Sequence, residues 1–99
     1  MCGIIGGVTN RDITPLLLDG LKRLEYRGYD SSGLVVLSKN NSFNRARSVG
    51  KVKNLEENLK ARINIIKGNI GIAHTRWATH GEPAKRNAHP HISDRKSVV

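Results

Sequence analysis

Apolar and polar residues follow two different periods along the chain, and the first part of the sequence shows both. Residues Cys2–Val8 are apolar and interrupted by glycines, a pattern that predicts a strand buried on both faces. A helix is predicted next, because Asp12 or Thr14 can cap it and Pro15 suits its first turn. Gly28 is a natural end for this helix. Its apolar face consists of leucines at helical spacing: Leu17, Leu18, Leu21 and Leu24.

The rest of the pattern predicts three strands and a second helix. Ser32–Leu37 and Phe43–Val49 predict two strands, joined by a polar turn into a hairpin. Apolar residues at helical spacing after Lys51 predict a second helix that ends near Gly68. Asn69–Thr75 alternates large with small residues and predicts another strand. This order of elements fits an α+β fold better than a parallel βαβ array.

The composition describes one soluble globular domain at most: 99 residues, 37% of them hydrophobic and 25% charged. No apolar run approaches the roughly 20 residues that a membrane helix needs, and the N-terminal apolar stretch lacks the basic start of a signal peptide. A cytoplasmic protein is therefore expected. The formal net charge of +9 suits an acidic substrate or a polyanion such as nucleic acid, and composition alone leaves both open.

The single cysteine directly follows the initiator methionine. If Met1 is removed, Cys2 carries both a thiol and a free α-amine, whose reference pKa values are about 8.5 and about 7.7–8.0. The amine can then act as general base for its own thiol, which is the arrangement of N-terminal nucleophile enzymes. The alternative is that Cys2 is a small buried apolar residue.

A second candidate site begins where the last predicted strand runs into the loop Arg76–Ser93, because loops that leave a rigid scaffold commonly present binding groups. Arg76 offers a planar guanidinium that can bind a carboxylate through two parallel hydrogen bonds. Trp77 can cover a closed site and exclude water from it. The alternatives are a surface ion pair for Arg76 and a core position for Trp77.

Two further motifs contain polar residues whose roles stay open. Asn87–His91 holds a His-x-His pair, but Pro90 and the lack of a third ligand at a recognisable spacing argue against a metal site, so no metal is expected. Histidines that brace a loop are the favoured interpretation. In Leu24–Ser31, either Arg27 or Asp30 can face a site, and Asp30 can equally form a turn with the following backbone.

Taken together, four motifs in this order resemble one family. They are Met1–Ile4, Leu24–Ser31, His74–Gly81 and Asn87–His91. They resemble the glutaminase domain of the isomerising glutamine:fructose-6-phosphate aminotransferases, a branch of the class II glutamine amidotransferases. A Cys-Gly-Ile start is common to that whole class, whereas Arg-Gly-Tyr-Asp-Ser and Thr-Arg-Trp-Ala-Thr-His-Gly are specific to the aminosugar branch. The resemblance extends over essentially the whole chain.

This resemblance implies a fold and a reaction. The fold would be an α+β N-terminal nucleophile hydrolase αββα sandwich, with two antiparallel sheets between helical layers, incomplete in this chain. Cys2 would attack the side-chain amide of L-glutamine, form a thioester and release ammonia, while its α-amine carries the proton. In the family, the ammonia travels to a separate C-terminal sugar-isomerase domain that acts on fructose 6-phosphate.

The same resemblance implies the substrate-binding residues. Arg76 would bind the α-carboxylate of glutamine, and Trp77 would lie on the loop that closes over it. Thr79 and His80 would line the same pocket. Two more residues are expected to support the site: Arg27 and His89. Neither a metal nor an organic cofactor is implied.

The chain ends at Val99, where the family continues with His-Asn-Gly, whose asparagine side chain and glycine amide form the oxyanion hole. Residues 1–99 are therefore expected to be the N-terminal part of a type 2 glutamine amidotransferase domain, with the sugar-isomerase domains absent. We expect this piece alone to lack useful glutaminase activity, because losing one oxyanion donor already costs about 3–4 kcal/mol.

The expected partners are L-glutamine and, through the missing domain, fructose 6-phosphate. Neither nucleic acid nor a membrane is expected as a partner, and the full-length protein is expected to be a homo-oligomer. Two alternatives from other classes stay open. One is a small basic nucleic-acid-binding module, which only the net charge supports. The other is a catalytically dead, truncated remnant.

Overall fold

The computed structural model describes residues 3–25, 30–38, 40–62, 65–76 and 88–92. Their elements in chain order are β1 (Gly3–Val8), α1 (Thr14–Leu24), β2 (Ser31–Leu37), β3 (Phe43–Val49), α2 (Val52–Ala61) and β4 (Ile70–Arg76). These strands form one antiparallel sheet in the order β1-β4-β2-β3. The chain thus places β4, its last described strand, between its first two.

One face of this sheet carries the hydrophobic core, and both helices pack on it. Side chains alternate between the faces of a strand, so every second residue of β2 and β4 points to the helices. The buried residues that meet there come from both helices and from β2, β3 and β4, and they include Leu17, Leu21, Leu34, Val36, Ala46, Leu55 and Ala73. Leu17 and Leu21 are 1% and 0% exposed, which confirms the leucine face predicted for α1.

The start of α1 differs from the expected side-chain cap. The residue at the N-cap position is Ile13, without a side-chain hydrogen bond, while Pro15 stands in the first turn as predicted. One Asp12 oxygen, Oδ1, accepts from the backbone N–H of Thr14 at 3.1 Å and from that of Gly68 at 3.2 Å. Asp12 therefore ties the beginning of α1 to the segment that leads into β4, instead of occupying the N-cap itself.

The hairpin of β2 and β3 is confirmed with the predicted bounds of β3, and β2 begins one residue earlier, at Ser31. The second helix is shorter than predicted, because α2 ends at Ala61 and not near Gly68. Ile66 extends the apolar pattern past the helix: it is 2% exposed and reaches the core from a turn, where its N–H donates to the Arg62 carbonyl. The predicted helix end at Gly28 lies outside the described residues.

The prediction that the first strand is buried on both faces is wrong for β1. Ile4 and Val8 are 71% and 74% exposed, whereas Ile5 packs against the core. On the neighbouring β4, Ile70 and Ile72 also lie on the face opposite the helices and are exposed. The prediction fails because the helices cover only one face of β1. An apolar sequence does not show whether the opposite face of its strand is also covered.

Candidate functional site

The end of β4 lies beside the beginnings of β1 and β2. In the antiparallel register, Thr75 is the partner of Gly3, and Arg76 is the partner of Ser31. The Asp30 backbone N–H donates to the Arg76 carbonyl at 2.8 Å. The sheet therefore brings the residue that follows Cys2 in the sequence close to the predicted carboxylate-binding arginine.

Gly3 is fixed tightly at this edge. Its backbone N–H donates to Thr75 Oγ1 at 3.1 Å. A Cβ at this position would lie 2.7 Å from Leu24 Cδ1 and 2.9 Å from Thr75 Oγ1. Because real Cβ atoms do not approach other atoms so closely, only glycine fits without a rearrangement.

Arg76 is a buried arginine paired with an acid. Its Nη1 lies 3.8 Å from Asp30 Oδ1, and the two side chains are 8% and 17% exposed. Taking a guanidinium out of water is costly unless an anion compensates it. Asp30 provides that compensation, so the alternative of a surface ion pair for Arg76 is wrong, and the pair is an internal one.

A short segment, residues 88–92, covers the face of the sheet opposite the helices. It lies directly over Gly33, where any Cβ would overlap the His89 carbonyl oxygen and stand 3.0 Å from the Ala46 carbonyl oxygen. From β3, Arg47 Nη1 donates to the Ala88 carbonyl at 3.3 Å. Ala88 is 0% exposed. The glycine thus provides the space in which this segment can reach the sheet.

Three imidazoles meet where the segment contacts β4. The ring centroids of His74 and His89 are 4.5 Å apart, and those of His89 and His91 are 4.6 Å apart. Burial, followed by the charges of His89, Arg76 and His91, lowers the pKa of His74 from 6.5 to about 4. Burial is also the main cause that lowers the pKa values of His89 and His91. The cluster is consequently neutral at pH 7, in an environment that disfavours added positive charge.

The described residues include two of the predicted site residues, Arg76 and His89, and place both on the face of the sheet opposite the helices. Five others lie outside the described ranges: Cys2, Arg27, Trp77, Thr79 and His80. Within those ranges, no group of three or more histidines, cysteines or acids can hold a metal ion. No helix in the part of the chain that the structure describes is long and apolar enough to span a bilayer.

Sequence reasoning left Asp30 open and did not single out His74 or Gly33. His74 stands two residues before Arg76, a spacing that puts both side chains on one face of a strand. A glycine inside a strand often marks the close approach of another backbone, which is the role of Gly33. The pairing of Asp30 with Arg76 had no local signal, since it depends on the register between β2 and β4.

Comparison with known proteins identifies relatives over the whole chain, although no family model matches it. It is 57% identical over 99 residues to the isomerizing glutamine–fructose-6-phosphate aminotransferase of Yersinia pestis, and 56% identical over 99 residues to that of Haemophilus influenzae. Each alignment covers 100% of this chain and 16% of the relative. The chain therefore spans about a sixth of the length of these relatives.

Solved structures show the same fold at lower identity. An allosteric regulatory enzyme of purine biosynthesis superposes with a TM-score of 0.68 at 24% identity. The glutamine phosphoribosylpyrophosphate amidotransferase from B. subtilis, complexed with ADP and GMP, superposes with a TM-score of 0.64 at 23% identity. Both matches cover 98% of this chain and 20% of the other, and they confirm the predicted incomplete α+β fold of an N-terminal nucleophile amidotransferase. Along its entire length the chain is thus homologous to one segment, about a sixth, of the glutamine–fructose-6-phosphate aminotransferases.

Proposed function

We propose that this chain is the part of a glutamine–fructose-6-phosphate aminotransferase that removes ammonia from the side-chain amide of L-glutamine. The observation that carries the proposal is 57% identity along all 99 residues with an aminotransferase of that name. Since the chain spans only 16% of that relative, we assign the acceptor chemistry on fructose 6-phosphate to other segments of the complete protein. Residues 1–99 are then the N-terminal part of its amidotransferase domain.

In this proposal Cys2 is the nucleophile once Met1 has been removed. Its sulfur attacks the amide carbon of glutamine, and the thiol proton passes through the α-amine to the leaving nitrogen. The carbon–nitrogen bond breaks, ammonia leaves, and a glutamyl thioester remains. Water then attacks the thioester carbon, its proton returns to the sulfur through the α-amine, and glutamate leaves. The net reaction converts glutamine and water into glutamate and ammonia.

The structure supports this role through the residue next to the proposed nucleophile. Gly3 is held by its hydrogen bond to Thr75 and by contact with Leu24, so Cys2 is attached to a fixed point of the sheet. Arg76 belongs to the adjacent strand and is paired across the sheet with Ser31. Holding a nucleophile and a substrate-binding group on one rigid scaffold lowers the entropic part of the barrier.

Arg76 is proposed to bind the α-carboxylate of glutamine, because its fork of donors matches a carboxylate. Trp77 directly follows it, and we assign this residue to the loop that closes over the substrate. Thr79 and His80 are proposed to line the pocket. Arg27 and His89 are proposed as supporting residues, and the contact of His89 with His74 holds residues 88–92 against β4.

The complete protein is proposed to be a cytoplasmic homo-oligomer without nucleic-acid or membrane partners. The net charge of +9 on these 99 residues is all that favours the nucleic-acid-binding alternative, and the relatives are named as aminotransferases. We still expect the 99 residues alone to be inactive with glutamine.

The test uses a hybrid enzyme, defined as the Haemophilus influenzae aminotransferase in which this chain replaces the 99 residues that match it. We expect it to release ammonia from glutamine, and we expect Cys2→Ala to abolish that release. Val8→Ala is the matched control, because Val8 is exposed at the opposite end of β1. Ammonia release that survives Cys2→Ala would contradict the proposal.

A further inference from the structure

We propose that Asp30 is a positioning residue, whose carboxylate orients the Arg76 guanidinium toward the α-carboxylate of glutamine. This inference rests on the proposed function and extends it to a residue outside the substrate pocket. It follows from three observations: the backbone connections of Asp30, the distance between the two side chains, and the charges around Arg76.

The backbone holds Asp30 in a fixed place relative to Arg76. Its N–H donates to the Arg76 carbonyl at 2.8 Å, and its own carbonyl accepts from the Gly50 N–H at 2.9 Å. The next residue, Ser31, is the register partner of Arg76 in β4 and of Val49 in β3. The backbone of Asp30 is thus linked to β4 and to the residue that follows β3, and its Cα cannot shift relative to Arg76 without breaking these bonds.

The side chains are close enough for attraction without closing the guanidinium to a ligand. Arg76 Nη1 and Asp30 Oδ1 are 3.8 Å apart, which is longer than a direct hydrogen bond. A guanidinium carries five N–H donors, and a carboxylate that binds it side-on takes two of them. Asp30 and the carboxylate of an amino acid can therefore be served by different edges of Arg76.

The charges around Arg76 make an acid at this place important. The positive charge of Arg76 is one of the causes, after burial, that lower the pKa values of His74, His89 and His91, so these neutral neighbours supply no negative charge to Arg76. Asp30 is the anion paired with Arg76 in the described part of this face. Removing this carboxylate would take away an anion that offsets the cost of keeping a guanidinium 92% buried, and would weaken the hold on its orientation.

The test compares Asp30→Asn and Asp30→Glu in the hybrid enzyme. For Asp30→Asn we expect the KM for glutamine to rise about tenfold while kcat stays within about twofold, the effect of weakening one charge-assisted interaction with the substrate. Asp30→Glu restores the charge and is expected to recover part of the loss. Asp19→Asn is the matched control, since Asp19 is 65% exposed on α1 and pairs there with Arg23.

The deciding quantity is the preference for glutamine over its α-amide, in which a neutral amide replaces the carboxylate. Asp30→Asn should reduce this ratio of kcat/KM values about tenfold. A general structural defect would lower kcat/KM equally for both substrates and leave the ratio unchanged. An unchanged ratio for Asp30→Asn overturns the inference; if that variant does not fold, an unchanged ratio for Asp30→Ser, which also removes the charge, overturns it in the same way. Arg76→Ala separates the two proposals. If Arg76→Ala leaves the ratio unchanged, Arg76 does not bind the carboxylate, and the proposed role of Asp30 fails as well. If Arg76→Ala lowers the ratio and Asp30→Asn does not, only the proposed role of Asp30 fails.

Discussion

Replacing Gly33 with alanine is expected to detach residues 88–92 from the sheet. A methyl group at this position would overlap the His89 carbonyl oxygen and would lie 3.0 Å from the Arg47 Cγ. The His89 carbonyl belongs to a backbone, which cannot rotate away as the end of a flexible side chain can. The segment itself must therefore move, together with the histidine contacts that hold it.

The size of the effect follows from the contacts that would be lost. The hydrogen bond from Arg47 to the Ala88 carbonyl, with its charged donor, contributes about 1.5–3 kcal/mol. The packing of the His74 and His89 rings adds about 0.5–1.5 kcal/mol. Together they give an opening free energy that falls by about 2–4 kcal/mol, which corresponds to about 30- to 1,000-fold faster exchange of the protected amides.

Hydrogen exchange read by mass spectrometry measures this directly in the hybrid enzyme, for the peptide that contains residues 88–92. Gly6→Ala is the control, because Gly6 lies on the same face of the sheet and its added methyl would meet a flexible Ile72 side chain at 3.3 Å. Because residues 77–87 run from Arg76 to Ala88, Gly33→Ala should also raise the KM for glutamine. Unchanged exchange in this peptide after Gly33→Ala would refute the proposed close approach.

Three further outcomes follow from the structure. Leu21→Ala should lower the local opening free energy of α1 by about 2–5 kcal/mol, because Leu21 is 0% exposed, whereas Leu16→Ala should change it little, because Leu16 is 43% exposed; amide exchange in α1 checks both. Because burial lowers the pKa of His74 from 6.5 to about 4, His74 on β4 binds a proton more readily when residues 88–92 are released than when they are packed. The stability that neutral His74 gives this packing is therefore full above pH 6.5 and is lost progressively as the pH falls toward 4. Amide exchange of this peptide, corrected for its intrinsic pH dependence, measures that loss, and His74→Asn should flatten it. Gly3→Ala should lower kcat for ammonia release, since its methyl collides with Thr75 and displaces the residue next to Cys2; a normal kcat would contradict this.

Local pattern was sufficient for most of the elements. The alternation in Asn69–Thr75 and the period of 3.6 in the leucines of α1 identify a strand and a helix. The observed ends of helices and strands differ from the predicted ones where tertiary contacts determine them. An example is Asp12, whose carboxylate accepts a hydrogen bond from the backbone N–H of Gly68, which is distant in the sequence. The end of α2 could not be predicted, since Ile66 is as buried as a helical residue although it lies in a turn.

The candidate site residues were chosen where the chemistry depends on residue type and position. The roles of Cys2 and Arg76 rest on the reactivity of an N-terminal thiol and on the geometry of a guanidinium, and they stay predictions. The pairing of Arg76 with Asp30 was not predictable, because it arises from the register between two strands that are distant in the sequence. The role of Gly33 was not predictable either, because it depends on residues 88–92, which pack on the sheet although they are distant from Gly33 in the sequence.

The central claim is that Cys2, as the first residue of the mature protein, carries the glutamyl group of glutamine. Acid quenching of the hybrid enzyme during turnover, followed by peptide mapping with mass spectrometry, tests it most directly. We expect the N-terminal peptide to begin at Cys2 and to carry one glutamyl group on sulfur, and we expect hydroxylamine to remove that group. A peptide that retains Met1 in an enzyme that still releases ammonia from glutamine, or a glutamyl group found on another residue, would contradict the account.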